Sequence, residues 1–290
     1  MPGPHPAPLD PPSHIADMAT RFRALHEDFL VVPNPWDAGS AKLVAEAGFQ
    51  AVASSSAACA WGLGKADGAI GRKTAIAHAA MLSEASGLPV NGDFESGYGE
   101  TPAEVAETIE RAIDAGVAGC SIEDLSQGRP EPLYDRHMAC RRLEAARDVI
   151  ERAGSDFVLA GRCEALAPFG KDGLAEALAR VPLYVAAGAH VIYVPFLTEA
   201  VEVEAVVAAS DVPVSVIAGL GGVSDDLAAL RTMGVRRITL GSGLYKLAMA
   251  GFLGAVDALA QGRVAVAGGT PGARFNGAFA ARRHGPAAGA

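Results

Sequence analysis

The sequence predicts a (β/α)8 barrel preceded by an extra helix and followed by a helical tail. Three observations carry this. Apolar, strand-like runs alternate eight times with segments of helical period, in units of about 25 to 35 residues. Several helical segments stop at Ala-Gly or Met-Gly just before the next strand (Ala47-Gly48, Ala115-Gly116, Ala187-Gly188, Met233-Gly234), as turns from helix to strand prefer. The rival, a doubly wound open sheet, should carry a dinucleotide-type glycine loop after its first strand. Pro33-Asn34-Pro35-Trp36 stands there instead.

Taken in order, the proline-dense residues 1–12 are expected to be disordered. A helix over Ser13 to Glu27 follows, with Ile15, Met18, Phe22 and Leu25 at helical spacing. The barrel then runs through 13–261. Its expected strands are Phe29 to Val32, Gln50 to Ser54, Pro89 to Glu95, Val117 to Ile122, Asp156 to Ala160, Val191 to Val194, Val214 to Ala218 and Arg237 to Leu240. Between them, helices are expected at Asp37 to Ala47, Lys73 to Ser86, Pro102 to Ala115, Asp135 to Ala153, Gly173 to Ala187, Glu199 to Ser210 and Ser224 to Met233. Gly243 to Ala260 closes the series. Cys59 to Gly71 and Asp124 to Tyr134 read as loops. The tail, 262–290, is rich in Ala and Gly. It reads either as disordered or, because Phe275 and Phe279 are four apart, as a short segment docked on this chain or a neighbouring subunit.

Composition narrows the function. A net charge of −9 with no basic run argues against a nucleic-acid partner. No apolar run reads as a membrane span, and the N-terminus lacks the features of a signal peptide. Cys59, Cys120, Cys140 and Cys163 form no close pair and no metal-type spacing, which suits a reducing cytoplasm.

The chemistry centres on Pro89-Val90-Asn91-Gly92-Asp93-Phe94-Glu95. On an extended backbone, residues two apart point the same way, so Asp93 and Glu95 share a face. Thr101-Pro102-Ala103-Glu104 then starts a helix with an N-cap, a first-turn proline and a capping-box acid. Two carboxylates at a strand end can hold a hard cation such as Mg²⁺, which leaves its other positions to water and substrate. Alternatively, they are ordinary loop acids.

A barrel keeps its functional groups at the C-terminal ends of its strands. Those ends hold Asn34, Trp36 and Asp37; Ser54, Ser55 and Ser56; Asp93 and Glu95; Glu123 and Asp124; Arg162 and Glu164; then Gly219 to Gly222 and Gly241-Ser242-Gly243. Plainer readings stand beside the functional ones. Arg162 could be a rim ion pair with Glu123 or Glu164, and Trp36 a core aromatic rather than a pocket wall. Cys163 could be a nucleophile of lowered pKa or a small buried residue. Tyr134 and Arg129 could form a lid. His78, His137 and His190 read as structural or solvated.

Asn34-Pro35-Trp36-Asp37-Ala38-Gly39-Ser40-Ala41, Ser54-Ser55-Ser56, Gly92-Asp93-Phe94-Glu95-Ser96-Gly97-Tyr98-Gly99, Ser121-Ile122-Glu123-Asp124 and Gly161-Arg162-Cys163-Glu164-Ala165 occur in that order. This combination resembles the isocitrate lyase / phosphoenolpyruvate mutase superfamily, from about Phe29 to about Leu259. The resemblance implies a barrel that depends on Mg²⁺, or Mn²⁺ in its place, and binds small 2-oxo or 2-hydroxy carboxylates. It also implies a homo-oligomer, a dimer or more usually a tetramer with an exchanged C-terminal helix. Carried over by position, Asp93 is the metal's direct carboxylate, and Glu95 and Glu123 hold the ion directly or through water. Ser55 and the backbone N–H groups of Ser56 and Ala57 grip the substrate's oxygens. Asp67 is an acid near the reacting group, Arg162 holds the substrate's carboxylate, and Trp36 walls the pocket.

The departures matter as much. The loop Leu125 to Tyr134 has no Cys, His or Lys, so the chemistry of isocitrate and methylisocitrate lyases is not expected, nor that of the phosphonate mutases and hydrolases, whose loop bears Lys and Asn. Glu95 stands where Asp is usual. What survives is a site for an enolate oxygen, which points to decarboxylation or retro-aldol cleavage. Three alternatives stay open: a phosphonate mutase or hydrolase, a phosphosugar aldolase or isomerase using the glycine loops after strands seven and eight, and a keto-acid binder without turnover.

Overall fold

The computed structural model describes residues 13–126, 130–266 and 268–280. The segment 1–12 expected to be disordered, and Arg129 of the expected lid, lie outside the described residues. The strands are β1 (Leu30–Val32), β2 (Val52–Ala53), β3 (Val90–Asp93), β4 (Gly119–Glu123), β5 (Val158–Arg162), β6 (Val191–Tyr193), β7 (Val214–Ile217) and β8 (Arg237–Thr239). All seven ladders are parallel, in the order β1-β8-β7-β6-β5-β4-β3-β2. The gap between β1 and β2 is bridged at the rim by the Ala53 N–H donating to the Pro33 carbonyl at 2.9 Å. Eight parallel strands thus make a nearly closed barrel, as the alternating pattern predicted.

Helices α1 (Ser13–Ala24), α2 (Ala38–Glu46), α3 (Ser56–Gly62), α4 (Arg72–Ser86), α5 (Pro102–Asp114), α6 (Arg136–Arg152), α7 (Leu166–Phe169), α8 (Gly173–Ala186), α9 (Ala200–Ala208), α10 (Leu227–Thr232), α11 (Gly243–Ala260) and α12 (Gly272–Phe279) complete the chain. Two of these depart from expectation: α3 runs into the segment Cys59 to Gly71 read as loop, and α7 lies between Ala160 and Gly173, where no element is expected. Ser55 caps α3 with its side chain, accepting from the Ala58 N–H, a start signal hidden inside a serine run. As expected, Thr101 and Glu104 form a capping box at the start of α5.

Two cores hold the barrel. The larger lies between strands and helices and includes Phe94, Ile109, Ile122, Leu159 and Ile238. The smaller closes the bottom: Met18 and Phe22 of α1 pack on Leu30, Val32, Ala53, Ala118, Val158, Ala160 and Val191. Small residues at Ala53, Ala118 and Ala160 leave the barrel's centre open above that plug. The space that other barrels fill with layers of side chains is therefore available to a ligand.

The tail helix α12 packs on α2. Phe279 lies near Gly39, and Arg274 pairs with Glu46. Helix α11 corrects the expectation about apolar runs. Its 18 residues have a mean hydropathy of 1.3, long and apolar enough by length and composition to cross a membrane. Its alanines and glycines, broken only by Lys246 and Asp257, do not read as a strictly apolar run. In the barrel its first turns face the cavity at the strand ends, while Leu247, Phe252, Leu253 and Leu259 are exposed.

Candidate active site

A cavity of about 650 Å³ opens at the C-terminal ends of the strands and reaches down between them to Val32, Ala53, Asn91 and Arg237. Side chains alternate across each strand. Asn91 and Asp93 of β3 therefore face the cavity, while Gly92 faces outward against Phe94.

Asp93 is the hub. Its Oδ2 accepts from both the N–H and the hydroxyl of Ser56, each at 2.9 Å. Its Oδ1 accepts from Arg162 Nη1 at 3.0 Å. Arg162 Nη1 also lies 3.2 Å from Glu123, and its Nε is paired with Glu164. The guanidinium sits over the Tyr193 ring, 5.2 Å from the centroid. Asn34 fastens the rim above: it donates to the Ser54 carbonyl at 3.0 Å and accepts from the Thr239 hydroxyl and the Leu240 N–H, both at 2.8 Å.

The turn after β3 is held in an uncommon conformation. Glu95 (φ 48°) and Tyr98 (φ 56°) both lie in the left-handed region, which residues other than glycine seldom adopt. Two arginines from neighbouring helices clamp it. Arg142 donates to the carbonyls of Ser96, Gly99 and Glu100, and Arg72 to those of Tyr98 and Glu104. Glu95 is thereby buried behind Asp93, with its carbonyl accepting from the Glu123 N–H at 2.9 Å.

Three carboxylates (Asp93, Glu123, Glu164) thus gather round one guanidinium, with Glu95 close enough to Glu123 to add to its field. Burial first, and then the neighbouring acids, push the Glu123 carboxyl up to about 8 despite Arg162. Such a cluster is short of positive charge. Beside it, the Tyr98 hydroxyl is buried without a hydrogen-bond partner among the described residues. Burial and the same acids hold its pKa high, so it stays a donor. Oxygen donors, surplus negative charge and an orphaned donor fit a hard divalent cation with its water shell. Among the described residues no three His, Cys, Asp or Glu side chains converge as a ready-made cage. Mg²⁺ needs none, since one or two carboxylates suffice.

Of the residues predicted from sequence, Ser55, Ser56, Ala57, Asp67, Asp93 and Arg162 all line the cavity. Glu95 and Glu123 stand behind Asp93 and do not. Trp36 is not on the wall. It packs edge-on against Tyr245, and Trp61, tilted against the same tyrosine, lines the cavity instead. The cause is α3, which carries Trp61 inward from a segment read as loop. The Ser56 N–H, expected to grip substrate, is spent on Asp93, whereas the Ala57 N–H makes no such bond among the described residues. Ser55 accepts from the Ala58 N–H as the cap of α3. The ion-pair reading of Arg162 is realised three times over. Among the described residues only its Nη2 is left for a ligand.

Cys163 is fully buried, and its thiol is pushed up by burial and by Asp124, the reverse of a nucleophile. Asp124 is structural: it accepts from the Glu164 N–H, Arg180 and Tyr184, tying two strand ends to α8. The glycine loop after β7 spends its donors internally. Gly219, Leu220 and Gly221 N–H groups go to the Ser224 carbonyl, the Ser224 hydroxyl and Asp225. Sequence reasoning missed Trp61, Tyr193, Arg237 and Lys246, all on the cavity wall. Lys246 is set aside by the sequence because it sits on a helix rather than at a strand end, yet its Nζ lies 5.6 Å from the Trp61 ring on the wall.

A family model described as phosphoenolpyruvate phosphomutase matches residues 22–260. The chain belongs to that family. It is 40% identical to a Burkholderia cenocepacia J2315 protein, assigned provisionally as a lyase/mutase, whose structure superposes with a TM-score of 0.88 over 93% of this chain and 98% of that one. It is 29% identical to 2,3-dimethylmalate lyase, a member of the phosphoenolpyruvate mutase/isocitrate lyase superfamily, with a TM-score of 0.80 over 90% of this chain and 94% of that one. A 2-methylisocitrate lyase from Halalkalibacterium halodurans is 31% identical over 67% of this chain and 65% of its own length. The chain spans between half and two thirds of the length of the curated relatives it matches.

Proposed function

We propose that this family member is a Mg²⁺-dependent lyase or decarboxylase acting on a small 2-oxo or 2-hydroxy carboxylate through an enolate. One observation carries the reading: Asp93 lines the cavity beside Arg162, which also holds Glu123 and Glu164 behind it, and this hub already accepts three hydrogen bonds. Asp93 would hold the ion, or Mn²⁺ in its place, with Glu95 and Glu123 behind it. When bound, the cation supplies a Lewis acid that stabilises charge developing on the substrate's oxygen.

The chain's own residues do the rest. Arg162, immobilised by its acids, offers Nη2 to the substrate's carboxylate, and the Ala57 N–H is a donor for a developing oxyanion. Tyr193 and Trp61 wall the reacting carbons, and Asp67 stands at the mouth. Decarboxylation or retro-aldol cleavage needs a polarised carbonyl or carbinol and a held carboxylate, and asks for none of the residues missing from the loop Leu125 to Tyr134. The phosphosugar reading loses the support of the loop after β7, where the Gly219, Leu220 and Gly221 N–H groups are already paired. The exposed apolar face of α11 supports a homo-oligomer, and the unpaired cysteines support a cytoplasmic location.

The test is turnover of oxaloacetate and substituted malates with Mg²⁺ and with chelator. Metal-dependent product formation is expected. Binding without product in either condition would reduce the protein to a keto-acid binder, and equal rates with chelator would remove the metal.

A further inference from the structure

We infer that Arg237 receives a second carboxylate of the substrate, making the protein selective for dicarboxylates. This rests on the reading of the cavity as a carboxylate site.

Arg237 opens β8 and lies on its inner face, with Thr239, while Ile238 between them packs in the outer core. It is 3% exposed and lines the cavity that Asp93 and Arg162 line. Its Nε donates to the Ser215 hydroxyl at 2.9 Å and its Nη1 to the Asn91 side-chain oxygen at 3.1 Å. Both partners are neutral. No carboxylate pairs with it among the described residues, and Nη2 makes no hydrogen bond to any of them. Two other arginines differ: Arg162 on the same wall faces three acids, and the buried Arg180 is paired with Asp124 and Glu176. The buried Arg142 does not line this cavity and donates to the backbone carbonyls of the turn after β3.

A buried charge is costly unless it is paired. Burial alone brings the Arg237 guanidinium down to about 10, which leaves it charged at neutral pH. Scaffolding would not need a cation here, since a neutral amide could bond Ser215 and Asn91 equally well. A charged group that opens on a ligand cavity without a counterion is best explained by a counterion that arrives with the ligand.

The register places it well. Arg237, Ser215, Tyr193 and Arg162 are lateral neighbours on β8, β7, β6 and β5. Two guanidiniums therefore flank the Tyr193 ring on one wall. The acid cluster has absorbed Arg162's charge and would repel a second carboxylate, whereas Arg237 would attract it. Lys246, the other cation on the wall, is exposed at the mouth and solvated.

The experiment compares equilibrium binding of malate and 2-hydroxybutyrate, in which a methyl group replaces the second carboxylate, by titration calorimetry of the full chain in Mg²⁺. The wild type should prefer malate by about tenfold or more, the scale of one hydrogen bond to a charged group. Arg237→Gln should abolish that preference and leave 2-hydroxybutyrate binding unchanged. Arg237→Lys, which keeps the charge but loses the fork, should retain part of it and serves should the glutamine variant fail to fold. Wild type without preference, wild type binding neither acid, or variants that lose affinity for both acids equally would each overturn the inference. Selective binding without turnover would sink the proposed reaction and leave Arg237's role standing. Turnover without selectivity would do the opposite.

Discussion

Arg162 Nη1 lies 3.0 Å from Asp93 Oδ1 and 3.2 Å from Glu123, so one guanidinium bridges the ends of β3, β4 and β5. The bridge keeps the acids together before any ligand arrives. It also means that the substrate's anchor and the metal's anchor are not independent: moving either carboxylate moves the arginine.

Asp93→Asn keeps the shape of the hub and most of its hydrogen bonds but removes the charge. Metal-dependent turnover should fall by about 10²–10³, the scale of losing one aligned electrostatic contact. The melting temperature should change little, because Arg162 keeps Glu123 and Glu164. Steady-state kinetics at saturating Mg²⁺, with calorimetry of the same sample, checks both halves. A variant of wild-type activity would remove Asp93 from the site.

Stability should depend on pH in a direction set by Glu123. Its carboxyl is raised from the ordinary 4.5 to about 8, so the folded protein holds a proton that the unfolded chain has released. The stabilisation is complete below about 4.5 and fades as pH climbs toward 8. Metal-free protein should therefore melt at progressively lower temperature from pH 5 to 8, and Mg²⁺ should reverse the loss at the upper end. Glu123→Gln should flatten the profile. A metal-free protein that gains stability over that interval would contradict the assignment.

Gly92 links packing to catalysis. A methyl group there would sit 2.4 Å from the Phe94 ring, which is fully buried. Gly92→Ala should cost about 1–3 kcal/mol by overpacking. Because Asp93 lies between that pair and Glu95 follows it, turnover should fall as well. Denaturant unfolding and kinetics on one preparation would show the two losses together. Full activity at reduced stability would mean that the turn absorbs the strain.

Cys163 should prove inert. Its thiol is buried and its pKa raised, so alkylation of the native protein at pH 8 should spare it until denaturant is added. Cys163→Ser should keep most of the activity. Mass mapping of the alkylated peptides decides the point.

The fold and much of the site were legible in the sequence because their signals are local. Strand and helix periods, the Ala-Gly stops and the Thr101–Glu104 cap each lie within a few residues, and barrel geometry puts Asp93, Glu123 and Arg162 at strand ends whatever the loops do. Contacts between distant strands were decided only in the tertiary structure. Arg162 meets Asp93 across 69 residues and Arg237 meets Asn91 across 146, through a register that no segment encodes alone. An arginine within an otherwise apolar strand was the one trace of Arg237, and sequence could not say which way it faced. The start of α3 at Ser56 turned Trp61 rather than Trp36 onto the wall, because a two-turn helix capped by a serine looks like a loop until its hydrogen bonds are seen.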